Sequence, residues 1–309
     1  MSTPSPIFIL GSPRSGTTLF SLILKQNPEL AIPYESHFIV PVFTKWRSIS
    51  QADFPGVRAT ILEEIINSKY VADWHPKVLN DQIDLNQCHD LATLINQVFM
   101  AYAKNESKQR WADKTPGYLI HVDTLNHLFP EAKFIHLVRD GRDVSLSLLK
   151  TQFGPNNFLT ALQHWERKVT IARKMLAMLR PDRHIEIRYE DLIASPRLTM
   201  EQVSHFLELE FHPTMLEDFS QEAKERVGDR IHTLHSNLVQ PLNASSCERW
   251  KRELGSADQH LAWKIAGTQL EALGYDRGKR CSFIPREFRR AVHRCKASYR
   301  WWRSARKKG

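Results

Sequence analysis

The chain has 309 residues, 42% of them hydrophobic and 25% charged, a globular composition long enough to bury a full core. Its net charge of +9 sits entirely in residues 286–309, where ten Lys or Arg face one acid, Glu287, so residues 1–285 sum to zero. That distribution argues against a nucleic-acid-binding body, which carries its charge on the fold, and no apolar run is long enough for a transmembrane helix. The first strand begins near Pro6, too early for a signal peptide. Cys88, Cys247, Cys281 and Cys295 show neither C-x-x-C nor zinc spacing. A cytoplasmic protein with free thiols and no metal site is the expectation.

In chain order, residues 7–10 (IFIL) read as a short buried strand and 17–26 as a helix stopped by Asn27-Pro28. Ile32 to Glu35 reads as a second strand or a loop. Apolar spacing predicts helices over 57–72 and 90–104. Thr115-Pro116-Gly117 breaks the chain before a helix over 118–129. Residues 133–138 (KFIHLV) form a buried parallel strand, and a helix follows from about Asp143. A long helix over 157–180, a strand over 185–188 and helices over 196–208 and 258–273 complete the pattern. Strands alternating with helices predict an α/β fold of three layers, a central parallel sheet flanked by helices, with a helical insertion around 45–110. Ligands of such sheets bind at the carboxyl ends of the strands. Arg14 and Arg139 each follow a strand directly, so both are expected to face one crevice.

Between the first strand and its helix stands Gly11-Ser12-Pro13-Arg14-Ser15-Gly16-Thr17-Thr18. Two glycines at this spacing suit a nucleoside triphosphate loop, G-x-x-x-x-G-K-[ST], but Thr17 occupies the lysine position. Backbone amides at a helix start attract an anion, and glycine lets the backbone approach it. Gly11, Ser15, Gly16, Thr17 and Thr18 suit one phosphate, with Arg14 adding charge. In the second segment a strand ends in Arg139, turns at Asp140-Gly141 and enters a helix that carries Ser147, a pair suited to a second anion.

PRSGTTL after one strand and LVRDGRDVSLSL after a later one together resemble the sulfotransferases that use 3′-phosphoadenosine 5′-phosphosulfate (PAPS). The resemblance implies a P-loop-type fold, no magnesium, and a 5′-phosphosulfate held by Arg14, Ser15, Gly16, Thr17 and Thr18. It gives the 3′-phosphate to Arg139 and Ser147. A donor with no β/γ phosphate pair accounts for the absent loop lysine. Trp111 to Pro116 resembles the family's catalytic-lysine segment, which makes Lys114 its lysine. Arg188-Tyr189-Glu190-Asp191-Leu192 resembles a strand end whose tyrosine, here Tyr189, borders the nucleotide. Ala272-Leu273-Gly274-Tyr275 resembles the closing helix. Domain limits of 1–285 and a basic tail of 286–309 follow.

Pro116 stands where the aryl and steroid branch has its catalytic histidine. The chain instead resembles the tyrosylprotein branch and its bacterial relatives, in which a glutamate about twenty residues past the loop is the base. Glu35 fills that place, with His37 as the next candidate. Arg14 and Lys114 would neutralise charge on the sulfuryl oxygens and the leaving phosphate. Leu234 to Trp250 resembles a lid over the nucleotide, with Ser236 and Arg249 as contacts. The acceptor is a hydroxyl of a peptide tyrosine, a carbohydrate, or a lipid or small alcohol. A P-loop kinase and a non-catalytic nucleotide-binding membrane protein are the alternatives. In the tail, Phe288, Val292, Cys295, Tyr299 and Trp302 form one face of a basic helix. Such a helix suits an anionic membrane surface, an acidic partner or the domain itself.

Overall fold

A computed structural model gives the fold and describes residues 5–152, 154–217 and 244–279. Its centre is a sheet of five parallel strands: β1 (Ile7–Gly11), β2 (Leu30–Ala31), β3 (Arg110–Asp113), β4 (Lys133–Val138) and β5 (His184–Arg188). The order across the sheet is β2-β3-β1-β4-β5. All five residues of β1 are buried, as a central strand covered on both faces requires, and this is why IFIL is an unbroken apolar run. Register pairs Ile7 with Ala112 on one side and Lys133 on the other. From β1 the chain crosses to the edge strand β2, returns to place β3 between β2 and β1, and then adds β4 and β5 on the other side. The crevice of such a sheet opens at the carboxyl ends where that order reverses, which is where the loops after β1 and β3 lie.

The described residues fall into two compact units, 5–138 with 172–217, and 139–171 with 244–279. In the first unit, Phe8 of β1 stacks on Phe134 of β4 at 5.7 Å and meets Trp111 of β3 edge-on at 5.8 Å. Trp111 in turn lies flat on Phe99 at 4.1 Å. Phe99 belongs to α4 (Leu91–Asn105), the last of three helices between β2 and β3, after α2 (Ile39–Trp46) and α3 (Phe54–Ile66). The aromatic stack therefore fastens the helical insertion to the sheet. Asp90 starts α4 by accepting from the Thr93 amide at 2.8 Å. α1 (Thr17–Lys25) is closed by Lys108, whose ammonium donates to the carbonyls of Lys25, Asn27 and Leu30 at 2.6, 3.0 and 2.9 Å.

Several boundaries differ from the sequence expectations. The second strand is Leu30–Ala31, and 32–38 is irregular. β3 and α2 were not expected: β3 has only two apolar residues, and α2 carries Pro41 in its first turn, where proline is tolerated. The helix expected over 57–72 is α3, which starts three residues earlier with Pro55 in its first turn. The expected helix 118–129 is a 3-10 turn, Pro116–Ile120, followed by α5 (Val122–Leu128). In the segment Arg188–Leu192, Arg188 ends β5 as expected and Tyr189 opens α8 (Tyr189–Ala194).

In the second unit, α6 (Gly141–Leu148) starts under an Asp140 cap on the Arg142 amide at 2.9 Å. Gly141 leaves room for the buried Trp165 ring of α7 (Phe158–Leu176), into which any Cβ would run. Arg142 is fully buried, bonded through Nε and Nη2 to Asp140 at 2.9 and 2.6 Å, with its guanidinium 3.3 Å from the Trp250 ring centroid. The Trp250 amide donates to Asp143 at 2.9 Å. That tryptophan lies on the short α10 (Arg249–Glu253), which comes after α9 (Pro196–Leu207) in the chain and is followed by α11 (Ser256–Ala272). Among the described residues no helix is long and apolar enough to cross a membrane.

Candidate active site

The loop after β1 is shaped by two left-handed residues, Arg14 at φ 71° and Gly16 at φ 90°. The Ser15 amide donates to the Ser12 carbonyl at 3.0 Å and closes the turn. Gly16 is the N-cap of α1, and no side chain caps the helix there. The first-turn amides have no intrahelical acceptors, so they face whatever the loop encloses. Ser15 is buried, and its hydroxyl has no hydrogen-bond partner among the described residues. A Cβ on Gly11 would lie 2.6 Å from Thr17 Cγ2 and 2.8 Å from the Leu137 carbonyl; one on Gly16 would run into the Tyr189 ring. Both glycines are thus demanded by close approach, and Tyr189 packs directly on the loop. A helix start, an orphaned buried hydroxyl and two glycines fit a phosphate cradle.

Thr18 of this loop meets Lys114, which in turn pairs with Glu35; sequence reasoning selected both. Lys114 directly follows β3, and its ammonium is 2.6 Å from Glu35 Oε1 and 3.4 Å from the Thr18 hydroxyl. The Lys114 side chain is 5% exposed and that of Glu35 19%, so this ion pair is largely withdrawn from water. Glu35 lies in the irregular segment after β2, and its Oε2 is 2.9 Å from His37 Nε2. Burial raises the proton affinity of Glu35, but Lys114 and the His37 hydrogen bond override it and hold the carboxyl at about 2. His37 is left-handed at φ 53°, with its ring centroid 4.4 Å from that of Tyr70. The Tyr34 ring lies 5.7 Å from the Lys114 ammonium. Thr18, Glu35 and Lys114 are therefore brought together, and Gly16 and Tyr189 likewise. Arg14 is half-buried within the loop.

In the second unit Arg139 is buried and donates through Nη2 to the Ser246 carbonyl at 2.6 Å. Ser147 is half-buried on α6. Arg249 forms a two-bond pair with Glu253 at 2.8 and 3.0 Å, the ordinary i,i+4 helix contact. Ser236 and the 286–309 tail lie outside the described residues. Sequence reasoning missed Ser36, Asp113, Thr115 and Tyr118, which form a buried cluster behind the Glu35–Lys114 pair. The signal available was their adjacency to the two charged residues.

Between the insertion and α5 lies a cavity of about 470 Å³, lined in part by Phe43, Trp46, Phe54, His89, Leu91 and His127.

A family model described as "Sulfotransferase family" matches residues 6–213. A protein-tyrosine sulfotransferase of Drosophila melanogaster is 24% identical over 281 residues, covering 87% of this chain and 51% of that protein, about half its length. Nodulation protein NoeE of Sinorhizobium fredii is 25% identical over 302 residues, covering 89% of this chain and 67% of that one. Among solved structures, the sulfotransferase domain from the curacin biosynthetic pathway superposes with a TM-score of 0.58 at 21% identity. That match covers 92% of this chain and all of the other.

Proposed function

The chain belongs to the sulfotransferase family, and from that premise we propose that it moves a sulfuryl group from PAPS to an acceptor hydroxyl, with Glu35 as the base. The observation that carries this reading is the withdrawn Glu35–Lys114 pair, 2.6 Å apart and in reach of Thr18 at the start of α1. The donor supplies an activated sulfuryl group on a 5′-phosphate. The loop residues Arg14, Ser15, Gly16, Thr17 and Thr18 hold that end, with Tyr189 packed on Gly16. Arg139 and Ser147 are assigned the 3′-phosphate, with Ser236 and Arg249 as further contacts. The donor is the chain's only cofactor in this reading, and no metal takes part.

Glu35 at about 2 is a weak base while Lys114 holds it. When the Lys114 ammonium turns toward anionic oxygens of the donor, Glu35 loses its largest stabilising charge. Burial then raises its proton affinity, and it takes the acceptor's proton as the oxygen attacks. Lys114 thus neutralises developing charge and frees the base in one movement. The acceptor is a peptide tyrosine, a carbohydrate, or a lipid or small alcohol; similarity to proteins named protein-tyrosine sulfotransferase puts tyrosine first. We assign the acceptor side to the helical insertion and its cavity, whose aromatic and histidine lining suits an amphipathic molecule.

Binding is tested by thermal unfolding with adenosine 3′,5′-bisphosphate in EDTA. At a hundredfold excess over Kd the expected stabilisation is about 2.7 kcal/mol. Gly16→Ala is expected to lose that protection, because its Cβ meets Tyr189 and its backbone is left-handed. Protection that needs magnesium, or a Gly16→Ala variant protected as well as the parent, contradicts the loop assignment.

A further inference from the structure

The side chains behind the Glu35–Lys114 pair form a circuit that the transfer chemistry itself does not use. Neighbours along extended chain point to opposite sides. Ser36, next to Glu35, and Asp113 and Thr115, on either side of Lys114, are all at most 1% exposed. The Ser36 amide donates to Thr115 Oγ1 at 3.0 Å, and Thr115 Oγ1 donates to Asp113 Oδ1 at 2.9 Å. Ser36 Oγ donates to Asp113 Oδ2 at 2.7 Å. The Tyr118 hydroxyl accepts from the Ile39 amide at 2.8 Å and lies 3.1 Å from Ser36 Oγ. Since the Ser36 proton goes to Asp113, the Tyr118 proton goes to Ser36. Every donor runs toward Asp113, which accepts twice and donates nothing. In this arrangement Asp113 is the ionised acceptor of two charge-assisted hydrogen bonds.

We propose that Asp113, acting through Ser36 and Thr115, is the positioning residue that ties the segment carrying Glu35 to the Lys114 strand end, and that protonating it slackens that tie, misplaces the base and lowers transfer. This rests on the Glu35–Lys114 reading above. A carboxylic acid at Asp113 trades two charge-assisted hydrogen bonds for neutral ones of roughly half the strength and forces the Ser36 or Thr115 hydroxyl to turn its proton away. The segment carrying Glu35 is then tied to the Lys114 strand end by weaker bonds. Rate is sensitive to such slack: a misplacement of about 1 Å can cost on the order of a hundredfold. The ionisation lies in an accessible range. Burial pushes Asp113 up, the Ser36 and Thr115 hydrogen bonds pull it back, and the Glu35 charge adds to the rise, leaving it at about 6. The other groups around it are His37 on the Glu35 segment, Lys114 on its own strand end, and Tyr118, whose phenol burial holds well above its usual value.

Thr115→Val keeps the shape and deletes the hydroxyl, whereas Thr115→Ser keeps the hydroxyl. Crystal structures of both variants and of the parent at pH 7.5 and pH 5, without nucleotide, read the Glu35–Lys114 distance directly. The parent at pH 7.5 and Thr115→Ser are expected to hold hydrogen-bond contact. Thr115→Val at pH 7.5 and the parent at pH 5 are expected to lose it. In a matched assay of labelled sulfate transfer from PAPS to 4-nitrophenol and to a tyrosine peptide, Thr115→Val should lose at least tenfold in kcat. Its KM for PAPS should stay within twofold, and Thr115→Ser should restore the rate. Asp113→Asn should remove the fall in rate near pH 6. An intact pair in Thr115→Val, or a pH 6 step that survives Asp113→Asn, overturns the proposal. The distances decide it whether or not either acceptor is turned over. Glu35→Gln separates the two readings: full transfer by that variant removes the base assignment, while the distance comparison still judges the circuit.

Discussion

Replacing Glu35 with glutamine is expected to lower sulfuryl transfer by about a hundred- to ten-thousandfold while leaving affinity for adenosine 3′,5′-bisphosphate unchanged. Glutamine has the same shape, and its carbonyl can still accept from Lys114, which Glu35 Oε1 now does at 2.6 Å. What it cannot do is take a proton. The variant therefore isolates proton transfer from charge placement and packing. Single-turnover transfer of labelled sulfate at saturating PAPS reads the chemical step, and calorimetry with the bisphosphate reads binding. A drop in transfer with unchanged binding locates the loss in chemistry. Transfer within a few-fold of the parent would move the base to His37, whose Nε2 lies 2.9 Å from Glu35 Oε2. Glu35→Gln combined with His37→Gln would then be the silent protein.

The two halves of this site were unequally legible. The loop from Gly11 to Thr18 is local: strand, turn and helix start follow one another, so spacing alone exposes the cradle. Buried strands were also legible, since β1 is an apolar run and β4 is one interrupted only by His136 after its opening Lys133. β3 was not, although Lys114 directly follows it, because Arg110 and Asp113 at its ends hide a strand of four residues. The Glu35–Lys114 contact joins positions 79 apart in the chain. Only the placement of β3 beside β1 and β2 brings them together, and resemblance to a family stood in for that geometry. The circuit of Ser36, Asp113, Thr115 and Tyr118 had no such substitute. Serine, threonine and aspartate beside a turn read as solvated, and nothing in composition says they are buried. Conversely, Arg249 had a ready local partner at i+4 in Glu253, and the structure makes that pair.

Lys114→Met is expected to cost about a hundred- to a thousandfold in transfer, the size of losing one preorganised donor at a developing anion. Two effects oppose each other. Removing the ammonium leaves Glu35 to burial and to His37, so its proton affinity rises from about 2 and the base becomes stronger. The sulfuryl and leaving oxygens meanwhile lose their neutralising charge. A stronger base recovers only part of its added proton affinity in the transition state, whereas the lost electrostatic contact is lost in full, so the rate falls. Stability separates this account from simple damage. A carboxyl whose folded value is depressed contributes stability that is present above its unfolded value of 4.5 and is lost as pH falls toward about 2. Lys114→Met removes that contribution and leaves a largely buried carboxylate without its ammonium partner, a loss of roughly 3–5 kcal/mol at neutral pH. The melting temperature should therefore fall below that of the parent at pH 7, and the gap should narrow as pH drops from about 4.5 toward 2. A gap that is constant with pH would mean that methionine disturbs packing rather than charge. Lys114→Arg supplies the complementary case. It keeps the charge and should recover most of the stability, but its planar fork cannot occupy the point contact between Glu35 and Thr18, so transfer should stay low.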